Sequence, residues 1–180
     1  VKAPIVLFLN PDTLVEERSI MTGLNYLKNR TDVGAVSVKL ILGNGKLDST
    51  CHRGFPTPWN AFCFFIGLTK LFPNSKLFAG YILGHLDIKE EHEVDAINGA
   101  YFMMSRKLGE QLHWFDEDFF WKGEDLDLSY RIKELGYKVI YFPDSKMYHY
   151  HKRDSKGKFG VLDFILKKES RWHLKDAIRY

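Results

Sequence analysis

In Ile5-Val6-Leu7-Phe8-Leu9-Asn10-Pro11-Asp12-Thr13, a run of apolar residues stops abruptly on residues that favour turns. The run does not alternate with polar positions, which predicts a strand buried on both faces of a parallel sheet. Folds built on such sheets bind ligands beyond the C-terminal ends of their strands, so Asn10 and Asp12 are expected on a functional rim.

Outward from that strand, Ile20, Leu24 and Leu27 recur at helical spacing within 16–29, and Gly34 precedes a second strand, Ala35-Val36-Ser37-Val38. Together these predict a β-α-β unit. Gly43-Asn44-Gly45 accepts positive φ and predicts a hairpin turn between 38–42 and 46–49. From Cys51 to His92 the periodicity fades. Pro56, Pro58, Pro73 and the cluster Trp59, Phe62, Phe64, Phe65 predict a long, partly helical excursion of the kind used for lids and binding loops. Regularity returns with a turn at Asn98-Gly99-Ala100, a strand over 101–104 and a short helix over 106–112. Leu128, Ile132 and Leu135 mark the buried face of a helix closed by Gly136, and a short strand over 138–142 is expected to stop at Pro143. The expected organisation is one α/β domain over 1–160, followed by a basic amphipathic helix over 161–180.

At 180 residues with 45% apolar side chains, the chain can bury one sizeable core. Charged residues make up 27% with both signs interspersed, which implies neither a disordered tail nor an arm for nucleic acid, and no nucleic-acid partner is expected. Residues 152–180 hold nine Lys/Arg against four Asp/Glu. That surplus suits an anionic surface such as a membrane leaflet, and a solvated helix face explains it equally well. Cys51 and Cys63 have neither the number nor the spacing of a disulfide framework or a paired zinc site, so both are expected as reduced, buried thiols. The greasiest stretch, 59–72, falls short of the roughly 20 residues that span a bilayer. With no signal-peptide pattern at the start, a cytoplasmic protein is expected, at most peripheral to the inner face of the membrane. An opening at Val1 on the edge of a core strand is expected to reflect a fragment.

Three places could carry chemistry. Asp12 can hold a divalent cation whose other positions are filled by diphosphate oxygens and water; alternatively it caps a helix starting near Leu14 or shapes the turn after Pro11. Glu124 and Asp125 stand just before a helix, where the dipole favours carboxylates, and one of them could accept the proton of an attacking hydroxyl. The same pair is also simply a good helix start. Ahead of it, Trp121 offers a face for a sugar ring and Gly123 frees the backbone. His149 could supply an imidazole to a metal or be a hydrogen-bonded structural residue, and His151 is a weaker candidate for the same role.

The order of these pieces resembles one family. The strand ending in Leu9-Asn10-Pro11-Asp12-Thr13 is followed by Asp95-Ala96-Ile97-Asn98-Gly99-Ala100, Phe115-Asp116-Glu117-Asp118-Phe119-Phe120 and Gly123-Glu124-Asp125-Leu126-Asp127-Leu128. Over 5–155 the chain is similar to bacterial family-2 glycosyltransferases of the rhamnosyltransferase type. The resemblance implies a GT-A fold, a mixed sheet flanked by helices, here truncated before Val1 and lacking the nucleotide-binding first half. It implies inverting transfer of a sugar from a nucleotide diphosphate donor, with Mg²⁺ or Mn²⁺ as cofactor. Asn10-Pro11-Asp12 takes the place of the family's Asp-x-Asp motif, with Asp12 on the metal and His149 as a further metal ligand. Asp125 would be the base with Glu124 beside it, and Asn98, Gly99 and Ala100 would line the cleft. The implied donor is a dTDP-sugar such as dTDP-rhamnose, or a UDP-sugar. The acceptor would be a saccharide or lipid-linked oligosaccharide in cell-surface polysaccharide synthesis. A remnant that binds saccharide or a partner without turnover is the alternative. The aromatic segment 55–72 and the helix 161–180 are expected to form a membrane or homo-oligomer surface.

Overall fold

A computed structural model describes residues 3–119 and 123–150. Trp121, His151 and the expected helix over 161–180 lie outside the described residues. In chain order the elements are β1 (Ile5–Leu9), β2 (Thr13–Leu14), α1 (Glu17–Lys28), β3 (Val33–Leu42), α2 (Pro58–Phe65) and α3 (Leu68–Leu71). Then follow β4 (His92–Val94), β5 (Tyr101–Ser105), α4 (Arg106–Gln111), α5 (Glu124–Glu134) and β6 (Lys138–His149). The strands form a mixed sheet in the order β1-β5-β3-β6-β2, and β4 also pairs with β6.

β1 differs from its sequence reading. It runs antiparallel to β5, and its residues are half-buried rather than buried on both faces. An apolar run carries no record of its partner's direction. β1 and β3 both pair antiparallel with β5, so they run the same way with β5 inserted between them, and the β-α-β unit is an open crossover. β3 and β6 supply the parallel pair at the centre of the sheet.

The face of α1 is also shifted. Ser19, Gly23 and Leu27 are buried, whereas Ile20 is exposed. A Cβ on Gly23 would stand 2.5 Å from the Tyr101 hydroxyl and 3.1 Å from Met103 Sδ, so its absence lets the helix seat on β5. The Tyr101 hydroxyl then donates to the Ser19 carbonyl at 2.8 Å. On the other face of β5, Phe102 packs edge-on against Phe115, which also meets Phe8 of β1 at 4.7 Å between ring centroids. In α5, Leu128 and Ile132 are buried as expected, but Leu135 falls at the C-cap and is exposed.

Two departures from the expected elements shape the functional region. Pro143 does not end β6. The pairing with β3 slips from Val38↔Phe142 to Lys39↔Lys146, so 143–145 leave the regular ladder, where a proline needs no N–H, and the strand runs on to His149. The Gly43–Gly45 turn forms, with Leu42 N donating to the Lys46 carbonyl at 2.8 Å. Its return arm is a single bridge, Ile41↔Leu47, followed by a 3-10 turn over Ser49–Cys51. That early turn carries Asp48, Thr50 and Arg53 inward. Cys51 and Cys63 are both buried free thiols, as expected.

The same turn buries His52 between Tyr141 and His92, at ring distances of 5.0 and 5.5 Å. Burial, aided by His92, pushes its imidazole down to about 4. Between that value and the ordinary value near 6.5 the unfolded chain binds a proton that the folded chain refuses, so stability falls as pH falls through this window. A loss of about 3 kcal/mol between pH 7 and pH 4 is expected from this group. Urea midpoints for wild type and His52→Phe check it: the variant should show a flatter acid limb, and parallel curves would reject the assignment.

Candidate functional site

One pole of the site is built by strand register. Thr13 of β2 stands opposite His149 of β6, and Tyr150 N donates to the Asp12 carbonyl at 2.8 Å. This places Asp12 Oδ1 3.5 Å from His149 Nε2. On the other side of the ring, His149 Nδ1 lies 3.0 Å from Asp48 Oδ2, with both side chains buried. Burial alone would raise the Asp48 carboxyl, but hydrogen bonds from His149 and Thr50 outweigh it and hold the group below the ordinary carboxylate value. Asp48 Oδ1 accepts from Thr50 N at 3.1 Å and Thr50 Oγ1 at 2.7 Å, and Asn98 Nδ2 donates in turn to Thr50 Oγ1. A polar chain therefore runs from Asp12 through His149, Asp48 and Thr50 to Asn98.

The second pole is the start of α5. Gly123 takes φ +108 as its N-cap, a conformation that disfavours any side chain, and so sets Glu124 and Asp125 in the first turn. Asp125 is only 9% exposed, and its Oδ2 lies 2.7 Å from Nη2 of Arg53, which is 8% exposed. Burial opposes the Arg53 charge, and Asp125 and Tyr81 outweigh it. Asp125 Oδ2 also accepts from Gly99 N at 3.2 Å. A Cβ on Gly99 would come within 4 Å of both Glu124 Oε1 and Asp125 Cβ, so the glycine is where the Asn98–Ala100 turn meets the two carboxylates.

An open cleft of about 340 Å³ lies above this junction, lined by Asn10, Gly99, Glu124, Asp116, Glu117 and the rings of Phe8, Phe115 and Phe119. Aromatic faces beside several carboxylates suit a polyhydroxylated ring, whose C–H faces stack and whose hydroxyls donate. Asp116, Glu117 and Glu124 make this cleft acidic.

Of the expected site residues, Asn10, Gly99 and Glu124 line the cleft, and Asp12 and His149 meet one another. Asn98 joins the two poles through Thr50. Asp125 lies beneath the cleft wall, held by Arg53. Ala100 is fully buried in the core and does not line the cleft; its N–H donates to Asn98 Oδ1 at 2.7 Å. Gly123 acts through its backbone conformation, and a Cβ added there would come 3.0 Å from the Phe119 ring. Asp12 does not cap α1, whose N-cap is Glu16, so that alternative falls away. Sequence reasoning missed Asp48, Thr50 and Arg53. The Asp-x-Thr pattern just after the Gly43–Gly45 turn was the available sign for the first two; no local pattern marks Arg53. It also left Asp127 and Arg131 without a role: Arg131 binds Asp127 and donates to the carbonyls of Leu112 and Trp114. That clamp holds His113 and Trp114 at positive φ, and the chain then enters the cleft wall at Phe115.

Among the described residues, no three of His, Cys, Asp and Glu converge to hold a metal unaided. The residues present nonetheless fit a cation that draws most of its ligands from substrate. Asp48 holds one nitrogen of His149 and thereby fixes the ring, so that Nε2 faces the carboxylate of half-exposed Asp12, the arrangement by which an outer carboxylate orients a ligating histidine. One carboxylate and one imidazole match a site completed by phosphate oxygens and water.

Comparisons with known proteins bear on the family and the fold. The model of a family described as "Glycosyltransferase like family 2" matches residues 1–174. Rhamnosyltransferase WbbL of Escherichia coli (strain K12) is 24% identical over 177 residues, covering 97% of this chain and 60% of that protein. A crystal structure of GalNAc-T7 with UDP, GalNAc and Mn²⁺ superposes with a TM-score of 0.53 at 16% identity, covering 84% of this chain and 28% of that one. The chain thus spans less than two thirds of the length of either relative. The structural likeness shows the fold, a GT-A-like mixed sheet with flanking helices.

Proposed function

Because this chain belongs to glycosyltransferase-like family 2, we propose that it carries the catalytic centre of an enzyme that transfers a sugar from a nucleotide diphosphate donor to an acceptor hydroxyl, with inversion. The observation that carries the reading is one cleft wall bringing Asn10, Gly99 and Glu124 together, with the Asp12–His149–Asp48 chain on the adjoining rim. The name of the Escherichia coli relative supports a rhamnosyl donor, and a saccharide or lipid-linked acceptor fits the open, aromatic cleft.

In this reading Asp12 and His149 would hold Mg²⁺ or Mn²⁺, which would neutralise charge on the departing diphosphate. The rest is done by the chain. Phe8, Phe115 and Phe119 exclude water from one side of the sugar, and Asp116 and Glu117 accept hydrogen bonds from its hydroxyls. Asp125, oriented by Arg53 and Gly99 N, takes the acceptor proton, while Glu124 on the cleft wall binds the acceptor hydroxyls. A single base with no covalent partner gives a single displacement, hence inversion. A second reading has a specific observation behind it: Glu124 faces the cleft, whereas protonating Asp125 would leave the buried Arg53 charge uncompensated. Glu124 would then be the base and Asp125 its anchor.

Thermal unfolding with Mn²⁺ and a panel of dTDP-, UDP- and GDP-sugars tests the donor site. One nucleotide class should stabilise the chain by about 3 kcal/mol at a hundred times its Kd, and Asp12→Ala should abolish the metal-dependent part. No shift with any donor, or an equal shift in Asp12→Ala, would reject the metal-assisted site.

A further inference from the structure

We propose that the segment carrying α2 and α3 is a docking surface for an anionic membrane leaflet. Eight large apolar side chains between Trp59 and Leu77 are at least 45% exposed, with Phe65 at 71% and Leu71 at 72%. They are not scattered. Cys63 turns inward from α2, while Trp59, Phe62, Phe65 and Ile66 recur at helical spacing on exposed positions, which reverses the usual amphipathic order. Ring contacts run from Phe62 through Trp59 and Phe78 to Phe72, and the Trp59 indole donates to the Leu77 carbonyl at 2.9 Å, so α2 and the segment after α3 share one outer surface. A connected apolar surface of this kind marks an interaction site.

Charge selects the occupant. Residues 49–86 contain no Asp or Glu, although the whole chain has 23, and the exposed charges within the aromatic patch are Lys70 and Lys76. A protein partner would ordinarily meet a polar rim, whereas apolar rings in a segment whose exposed charges are lysines match acyl chains beneath anionic headgroups. Tryptophan suits the boundary between them. Among the described residues no helix is long and apolar enough to cross a membrane, so the contact is with one leaflet. The segment is tied to the site at its root: Arg53 pairs with Ala96 through both backbone bonds, Gly54 N donates to the Tyr81 carbonyl, and the Arg53 side chain binds Asp125. Contact at α2 and α3 is therefore linked through Arg53 to Asp125. The inference stands without the transferase reading, because binding is measured with neither donor nor acceptor present.

Co-sedimentation of the full chain with phosphatidylcholine vesicles, with and without phosphatidylglycerol, tests it. Wild type should bind the anionic vesicles, and the triple substitution Phe62→Ser, Phe65→Ser, Leu71→Ser should weaken binding by about tenfold or more while leaving the unfolding temperature unchanged. Should that variant fail to fold, Lys70→Glu with Lys76→Glu carries the test, with about fivefold loss expected per lysine. Wild type that ignores anionic vesicles, or a folded variant of either kind that binds them as wild type does, overturns the proposal. So does a dimer in sedimentation equilibrium that the triple substitution dissociates without altering vesicle binding, which would assign the surface to a second copy.

Discussion

Asp125→Asn is expected to lower turnover by about a hundredfold to ten-thousandfold at saturating donor, the range that a lost general base leaves behind. Glu124→Gln, which keeps the shape of the cleft wall and removes one charge, is expected to cost about tenfold, the value of a weakened hydrogen bond to the acceptor. Single-turnover transfer to a saccharide acceptor, corrected for the folded fraction, measures both. The order of the two losses is what matters. Asp125 has Arg53 and Gly99 N as partners and little exposure, whereas Glu124 lines the open cleft. If Glu124→Gln proves the more severe, the proton goes to Glu124, and Asp125 serves to keep Arg53 and the Asn98–Ala100 turn in place. Losses below about tenfold in both would remove this pair from the chemistry altogether.

The contrast between legible and hidden parts of the site has a physical origin. Strand and helix identities follow from local periodicity, and so the core of β3, β5 and α5 was readable: Val36, Met103, Leu128 and Ile132 are buried as their pattern demands. Partner direction and register are set by long-range pairing, which is why β1 was read as parallel and Pro143 as the end of a strand. The same limit hid half the site. Asp12 and His149 were legible because each follows or ends a recognisable strand, but their meeting depends on the Thr13↔His149 register. Asp48 and Thr50 sit in a turn whose chemistry is visible only once β6 extends past Pro143 and brings His149 to them. Arg53 opens a segment without periodicity, and Asp125 lies 72 positions further along the chain. Nothing in a local window links such residues; the Arg53↔Ala96 bridge does.

That hidden residue carries the other large expectation. Arg53→Met should destabilise the chain by about 3–5 kcal/mol, because it strips the counter-charge from a buried carboxylate while filling nearly the same volume. The loss should be much smaller in Arg53→Met with Asp125→Asn, where neither charge remains, and a double-mutant cycle on urea midpoints isolates the coupling between the two. The same variant separates the two assignments of the base. If Asp125 takes the proton, loss of the partner that orients it lowers turnover of the folded fraction as well as the folded fraction itself. If Glu124 takes it, only the folded fraction falls. An Arg53→Met protein as stable as wild type would show that the 2.7 Å ion pair is dispensable. Asp125 would then be free to act alone, and the positioning role assigned to Arg53 would fall with it.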